Sequence, residues 1–296
     1  MRIALATSED LPDLTPDDQT LLRPLADRGF TAEPAVWSDP NYPWQDCDAI
    51  VIRSCWDYHL RSDQFLRWIA FLESANCPVW NPPAMLRWNT DKIYLRSLEQ
   101  KGIPVVPTVW FEPGESPNLA EALREKSWDK AVIKPRISAT AHRTQLVEAH
   151  DAERSQAMIE ELRAGPGVMV QQFMDSIVSE GEWSLMFFAG EFSHAIRKTP
   201  KAGDFRVQSD FGGRSQLAEP PAHVLEWGAH AVQAVNRPLY ARVDGVVDQD
   251  RQFRIMELEL IEPALFLAYH SAAPERFADA IAAAIRGKNR QAARAD

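Results

Sequence analysis

Cysteine is scarce in this chain. Cys47, Cys55 and Cys77 are the only three in 296 residues, too few and too scattered for a disulfide framework or a zinc site. Each is expected to be a small buried hydrophobe. Long apolar runs are missing too, and none approaches the length of a membrane span. The N-terminal MRIALATSED stops at an acidic pair, which reads as a first β-strand and not as a signal peptide. A reducing cytoplasm is the expected compartment, without a membrane partner. Positive charge is in deficit: 32 Lys and Arg stand against 42 Asp and Glu, a formal net charge of -10. A nucleic-acid backbone is therefore not expected as a partner, and each basic residue must be weighed as a site residue. Neither G-x-G-x-x-G nor a Walker A Gly-Lys-Ser/Thr occurs, which removes two common glycine-loop routes to a nucleotide. Internal repeats and low-complexity segments are absent.

What remains is an ordinary globular composition, 45% apolar and 25% charged, long enough for one large domain or about two to three small ones. Strands are expected at 2–8, 30–37, 49–55 and 79–81. A helix capped by Thr15-Pro16-Asp17-Asp18 and closed by Gly29, and a second capped by Ser62 and running to 75, lie between them. That alternation describes an open α/β layer, in which ligands bind beyond the carboxyl ends of the strands. The edge carries Arg53, Ser54, Cys55, Trp56, Asp57 and Tyr58. Arg53 is open to two readings, a ligand for a substrate carboxylate or half of an Arg–Asp surface pair. Trp56 and Tyr58 are pocket walls or core aromatics.

Pro82-Pro83 marks a boundary. A helix over 91–101 follows, with Lys92 in its first turn, a poor place for a cation beside the helix dipole. Strands at 105–111 and 131–135 flank a helix capped by Ser116-Pro117. Lys134 lies inside the apolar run AVIKP and needs an anion. The loop 136–144, RISATAHRT, offers backbone N–H groups and hydroxyls, among them Ser138 and Thr140, to phosphates. A helix from 151 to 164 leads to a strand at 168–174, whose Gln171, Gln172 and Phe173 suit an adenine ring or plain core packing. A hairpin about Gly190 follows, then a short strand at 205–208. At Gly212-Gly213 a backbone can approach a ligand closely. Helices to 235 and over 274–285 complete the chain, with 287–296 as a frayed tail.

The sharpest signal is the stretch 240–263, YARVDGVVDQDRQFRIMELELIEP. Its period of two describes two strands joined by a polar turn at 249–252. That register sets Asp244 opposite Glu257 and Arg242 opposite Glu259, and opposed carboxylates destabilise a sheet. A solvated acidic face is the bland reading. The arginine in the patch and the apolar residues flanking every acid favour a buried magnesium–phosphate site, because hard oxygen donors without His or Cys suit magnesium.

Taken in order, several segments resemble the ATP-grasp superfamily of carboxylate–amine ligases over nearly the whole chain. They are Lys92 with Gly102-Ile103-Pro104, Val132-Ile133-Lys134-Pro135, Gln171 to Phe173, Gly181-Glu182-Trp183-Ser184, Phe205-Arg206 with Gly212-Gly213, and Arg242-Val243-Asp244 with Glu257 and Glu259. The segments RSCWDYH, GEWS, HAIRK, DFRVQSDFGG and ELELIEP resemble ligases that close the ring of cycloserine from O-ureido-D-serine. The resemblance implies an α/β fold, α+β in its C-terminal part, with three subdomains at 1–84, 85–174 and 175–290 and a tail at 291–296. ATP is then held between the central and C-terminal subdomains. By the same resemblance Lys92, Lys134, Ser138 and Thr140 hold ATP phosphates. Gln171, Gln172 and Phe173 frame adenine, and Glu182 or nearby Glu180 takes the ribose. Asp244, Glu257 and Glu259 bind Mg2+, while Arg206 and Arg242 reach the moving phosphoryl group. Arg53, Ser54, Asp57 and Gly213 fall on the substrate side, with Arg197, Lys198 and Glu262. Two departures from the wider superfamily are Glu259, where Asn is usual, and a loop after Lys134 without glycine.

The implied activity is ATP- and Mg2+-dependent activation of a substrate carboxylate as an acyl phosphate, then attack by a nitrogen within the same small amino-acid-like molecule. The alternatives are an intermolecular amino-acid or peptide ligase, a non-catalytic ATP-binding regulator, and a plain α/β domain with a structural acidic hairpin. The sequence carries no oligomer signal; a dimer is the commonest assembly.

Overall fold

The molecule is seen in a computed structural model that describes residues 1–115, 117–162 and 165–292. The first apolar runs form a parallel sheet of β1 (Arg2–Thr7), β2 (Thr31–Val36), β3 (Ala49–Ser54) and β4 (Val79–Trp80), in the order β2-β1-β3-β4. Every residue of β3 is buried, as expected of a strand covered on both faces. Pro34 is tolerated because β2 lies at the edge. The single helix expected before Gly29 is two, α1 (Pro16–Gln19) and α2 (Leu22–Asp27). Thr15 caps α1 by accepting the Asp18 N–H. Pro24 has no N–H to continue the ladder from α1, and the Thr20 hydroxyl bonds the Asp17 carbonyl instead. α3 (Ser62–Ser74) begins at Ser62 without a side-chain cap.

Pro83 occupies the first turn of α4 (Pro83–Thr90), a helix the sequence reading lacks. The helix expected over 91–101 is α5 (Tyr94–Gln100), so Lys92 precedes it; the Asp91 carboxylate accepts the Ile93 N–H and turns the chain there. The second sheet is antiparallel, formed by β5 (Thr108–Phe111), β6 (Lys130–Pro135), β7 (Gln145–Glu148) and β8 (Val168–Gln172) in the order β5-β8-β6-β7. Leucines and isoleucines of α6 (Leu119–Lys126) and α7 (Ala152–Leu162) pack against it. Asn118 caps α6 by accepting the Glu121 N–H. The cap expected at Ser116, the helix end expected at Ala164 and residues 293–296 lie outside the described residues. Val105 does not join β5; it bridges Ile255 in the third sheet.

That sheet runs β11-β10-β9-β12-β13, antiparallel throughout, from β9 (Glu182–Phe188), β10 (Glu191–Thr199), β11 (Arg214–Leu217), β12 (Tyr240–Val247) and β13 (Phe253–Glu259). α8 (Ser176–Ser179), α9 (Ala222–Ala234) and α10 (Ala273–Ala292) complete the chain. The strand expected at 205–208 does not form, because the Asp204 carboxylate takes the N–H groups of Phe205 and Arg206. α10 continues through Gly287, where a frayed tail was expected. No helix among the described residues is long and apolar enough to cross a membrane.

One core joins the first and third sheets through Ile3, Leu5, Phe188, Tyr240 and Phe277. Asn81 fastens the same junction. It is fully buried, donates to the carbonyls of Tyr240 (3.0 Å) and Leu260 (2.8 Å), and accepts the Leu239 N–H (2.7 Å). Asn81→Leu leaves three buried backbone groups unpaired and is expected to cost about 3 kcal/mol or more, read as a lower urea midpoint. An unchanged midpoint would remove Asn81 as a fastener.

Candidate active site

The register of β12 and β13 is the one the period-two pattern predicts: Asp244 faces Glu257 and Arg242 faces Glu259. A bulge follows Asp244. At Gly245 a Cβ would lie 2.5 Å from both the Arg254 carbonyl and the Phe253 ring, so only glycine lets the strands close here. The hairpin thereby gathers carboxylate oxygens of Asp244, Glu257 and Glu259 within 4.8 Å of one another.

Cations surround the triad. Arg242 donates to both oxygens of Asp244, at 2.9 and 3.1 Å, and to Glu259. Lys198 lies between Glu182 (2.7 Å) and Asp244 (3.4 Å), and the Ser184 hydroxyl donates to Asp244. Lys92 and Lys134 each bring their Nζ to 3.7 Å from Glu257. Burial works to raise Asp244, but Arg242 and Lys198 outweigh it and hold the carboxyl at about 2. Burial likewise opposes ionisation of Glu257, and Lys92 with Lys134 keeps it below the usual carboxylate range. Glu259 is pushed up to about 7 by burial, with Asp244 and Glu257 adding to that against Arg242. Glu262 is pushed up to about 8 by burial and by Glu259. Burial lowers Lys134 despite Glu257. The site is crowded with anions, and Lys92 and Lys134 are only loosely ion-paired, which suits exchange of partners when a polyanion enters.

Most of the expected nucleotide residues line one cavity of about 340 Å³: Lys92, Lys134, Ser138, Thr140, Gln171, Gln172, Phe173 and Glu182. The triad, Arg206, Arg242, Lys198 and Glu262 line it as well, with Trp56 and Tyr58. Lys134 donates to Gln171 (3.1 Å), and Lys92 to the Ser138 carbonyl (2.9 Å). The loop 136–144 turns without glycine by placing Thr140, Ala141 and Arg143 at positive φ of 51°, 55° and 52°.

Other expected residues are engaged elsewhere. Arg53 is buried and paired with Asp18 (2.8 Å), so the Arg–Asp reading holds, inside the molecule and not on its surface. Ser54 bonds Thr7. Asp57 accepts from Arg61 and from the Trp37 indole. Arg197 donates to the Glu180 carbonyl and packs on Trp183, and Glu180 itself faces Arg251. The close approach at Gly213 is to its own chain, with the Val207 carbonyl 2.1 Å from where a Cβ would stand. Arg206 lines the cavity, but Asp204 (2.8 Å) and the Phe211 ring (3.7 Å) hold its guanidinium. The sequence reading misses Asn89, Phe266 and Tyr269 in the lining. Phe266 and Tyr269 begin and end a single 3-10 turn after β13, too short to show a period.

Comparison with known proteins places the chain among its relatives. Residues 3–81 match the family described as D-cycloserine synthetase DcsG, N-terminal domain. The cycloserine biosynthesis protein DcsG of Streptomyces lavendulae is 31% identical over 299 residues, covering 95% of each chain. The crystal structure of D-cycloserine synthetase DcsG superposes with a TM-score of 0.88 at 28% identity, over 96% of this chain and 100% of that one. The D-alanine–D-alanine ligase of Bacillus anthracis complexed with ATP shares the fold, with a TM-score of 0.73 at 18% identity over 98% of both chains. Fold and site thus define an ATP-grasp ligase, an ATP-dependent enzyme that forms carbon–nitrogen bonds. Within that class the chain belongs to the DcsG family.

Proposed function

We propose that this ligase converts the carboxylate of O-ureido-D-serine to an acyl phosphate and closes the same molecule to D-cycloserine. The observation that carries the reading is a single cavity in which Lys92 and Lys134 converge on Glu257 beside Asp244 and Glu259. The similarity to the cycloserine biosynthesis protein along 95% of both chains supports the choice of substrate. Lys92 and Lys134 would take the phosphates, Gln171, Gln172 and Phe173 the adenine, and Glu182 the ribose. The triad offers only carboxylate oxygens, the donor type that suits Mg2+. Asp244, Glu257 and Glu259 would hold that ion, which when bound neutralises charge on the phosphate oxygens.

A carboxylate is a poor electrophile because its leaving group would be oxide. Its oxygen therefore first attacks the γ-phosphorus, and the bond to the bridging oxygen of ADP breaks. The oxygen-bound nitrogen of the ureido group then attacks the carbonyl carbon and gives up its proton, and phosphate departs. Hydrolysis of the carbamoyl group left on that nitrogen releases carbon dioxide and ammonia. Arg242, fixed beside the triad, and Arg206, once released from Asp204, stabilise charge on the transferring phosphoryl group. Ser138 and Thr140 belong to the loop that keeps water from the acyl phosphate. Closure of a five-membered ring brings the nucleophile in without a second binding event.

The test is ADP release from purified enzyme with ATP, magnesium and O-ureido-D-serine, with products identified by mass. Release that needs all three and yields the free ring is the expected result. A linear conjugate with an added amine, or no ADP at all, would sink the reading.

A further inference from the structure

Glu262 takes no part in the steps above. Its side chain lines the cavity, the residue is only 7% exposed, and among the described residues no Lys, Arg or His forms an ion pair with it. It is not one of the three carboxylates gathered within 4.8 Å of one another, although Glu259 is near enough to act on it. A buried carboxylate without a cation is a costly thing to keep.

The backbone that carries it is held tightly. Where β13 ends, three consecutive carbonyls are each taken by a different side chain. The Trp56 indole Nε1 donates to Glu262 (3.0 Å), Arg53 Nη2 to Pro263 (2.7 Å), and Arg242 Nη1 to Ala264 (3.1 Å). Arg53 is itself locked by Asp18 and by the rings of Tyr240 and Phe277, 5.3 and 5.7 Å from its guanidinium carbon. This clamp fixes the backbone that carries Glu262 at the cavity wall. Trp56 and Tyr58 line the same cavity, and the loop after β3 sends no cation into it. A carboxylate with aromatic neighbours is a receptor for an ammonium group.

We infer that Glu262 is the anchor for the α-ammonium group of the amino-acid substrate, with Trp56 and Tyr58 as walls and Arg53 as a positioning residue that acts through the clamp. This rests on the ligase reading and adds the feature by which the site selects an amino acid over a plain carboxylic acid.

The experiment measures binding by thermal shift on enzyme loaded with magnesium and a non-hydrolysable ATP analogue. The probes are O-ureido-D-serine and 3-(ureidooxy)propanoate, which differ only in the amino group. Wild type is expected to bind the first about 10²-fold more tightly, and Glu262→Gln to lose that preference by weakening the first probe alone. Trp56→Phe, which removes one clamp donor, should lose part of the same preference. The shift given by the ATP analogue alone should persist in both variants and reports on folding. Equal binding of the two probes by wild type, no shift with either, or an equal loss of both in Glu262→Gln overturns the inference. Selective binding without formation of the ring overturns the proposed reaction and leaves the ammonium site standing.

Discussion

Glu257→Gln is expected to lower magnesium-dependent ADP release by about 10³-fold or more. Glu257 differs from its neighbours in the triad. Asp244 is bound by Arg242, Lys198 and Ser184, and Glu259 by Arg242, whereas Glu257 meets only the two lysines, at 3.7 Å each. Those contacts are too long for hydrogen bonds and easily exchanged. On the proposed reading, ATP would draw the lysines to its phosphates and leave Glu257 to the metal. An amide of the same shape keeps the packing, removes the negative charge from both partnerships, and presents an NH2 group that cannot ligate. The variant should still show its normal urea midpoint to within about 1 kcal/mol, since an isosteric change at a loosely paired site does little to folding. Turnover equal to wild type at saturating magnesium would show that the metal is not held through Glu257.

The hairpin was legible because its chemistry is local. Period two fixes which residues share a face, and a turn at 249–252 fixes who opposes whom, so Asp244, Glu257, Arg242 and Glu259 could be paired from the sequence. Lys134 was legible for a similar reason: a lysine within AVIKP has few physical explanations. Arg53 was not. Its partner Asp18 lies 35 positions away and its second acceptor, Pro263, 210 away, and no local pattern contains that closure. The same limit explains Arg197 and Glu180, each taken up by a neighbour brought in by the fold, whereas Asp57 is taken up both by Arg61 four positions on and by the more distant Trp37. Element boundaries failed where a side chain competes with the backbone ladder. Asp204 consumed the N–H groups that a strand at 205–208 needed, and Asp91 delayed the start of α5 beyond Lys92.

Lys198→Met is expected to lower stability by about 3–5 kcal/mol, a fall in Tm of roughly 10 °C for a chain of this size. Lys198 is 6% exposed and, among the described residues, is the one cation that forms an ion pair with both Glu182 and Asp244. Burial would lower its pKa, but those two carboxylates raise it above the ordinary lysine value. Methionine fills the volume and leaves two acids facing each other in the interior. Glu182 is already raised by burial with the lysine present, and without it rises further. A carboxyl whose folded pKa exceeds its unfolded value binds more protons when folded, so stability falls as pH climbs from the unfolded value, about 4.3, through the folded one. The deficit of the variant should therefore be greatest at pH 8 and shrink toward pH 5.5. Adding Glu182→Gln should recover much of it at pH 8, because the neutral amide no longer needs the missing cation. A deficit that is flat with pH, together with a double variant no more stable than Lys198→Met alone, would mean that Lys198 serves packing and not charge, and that Glu182 and Asp244 are balanced by Arg242 without it.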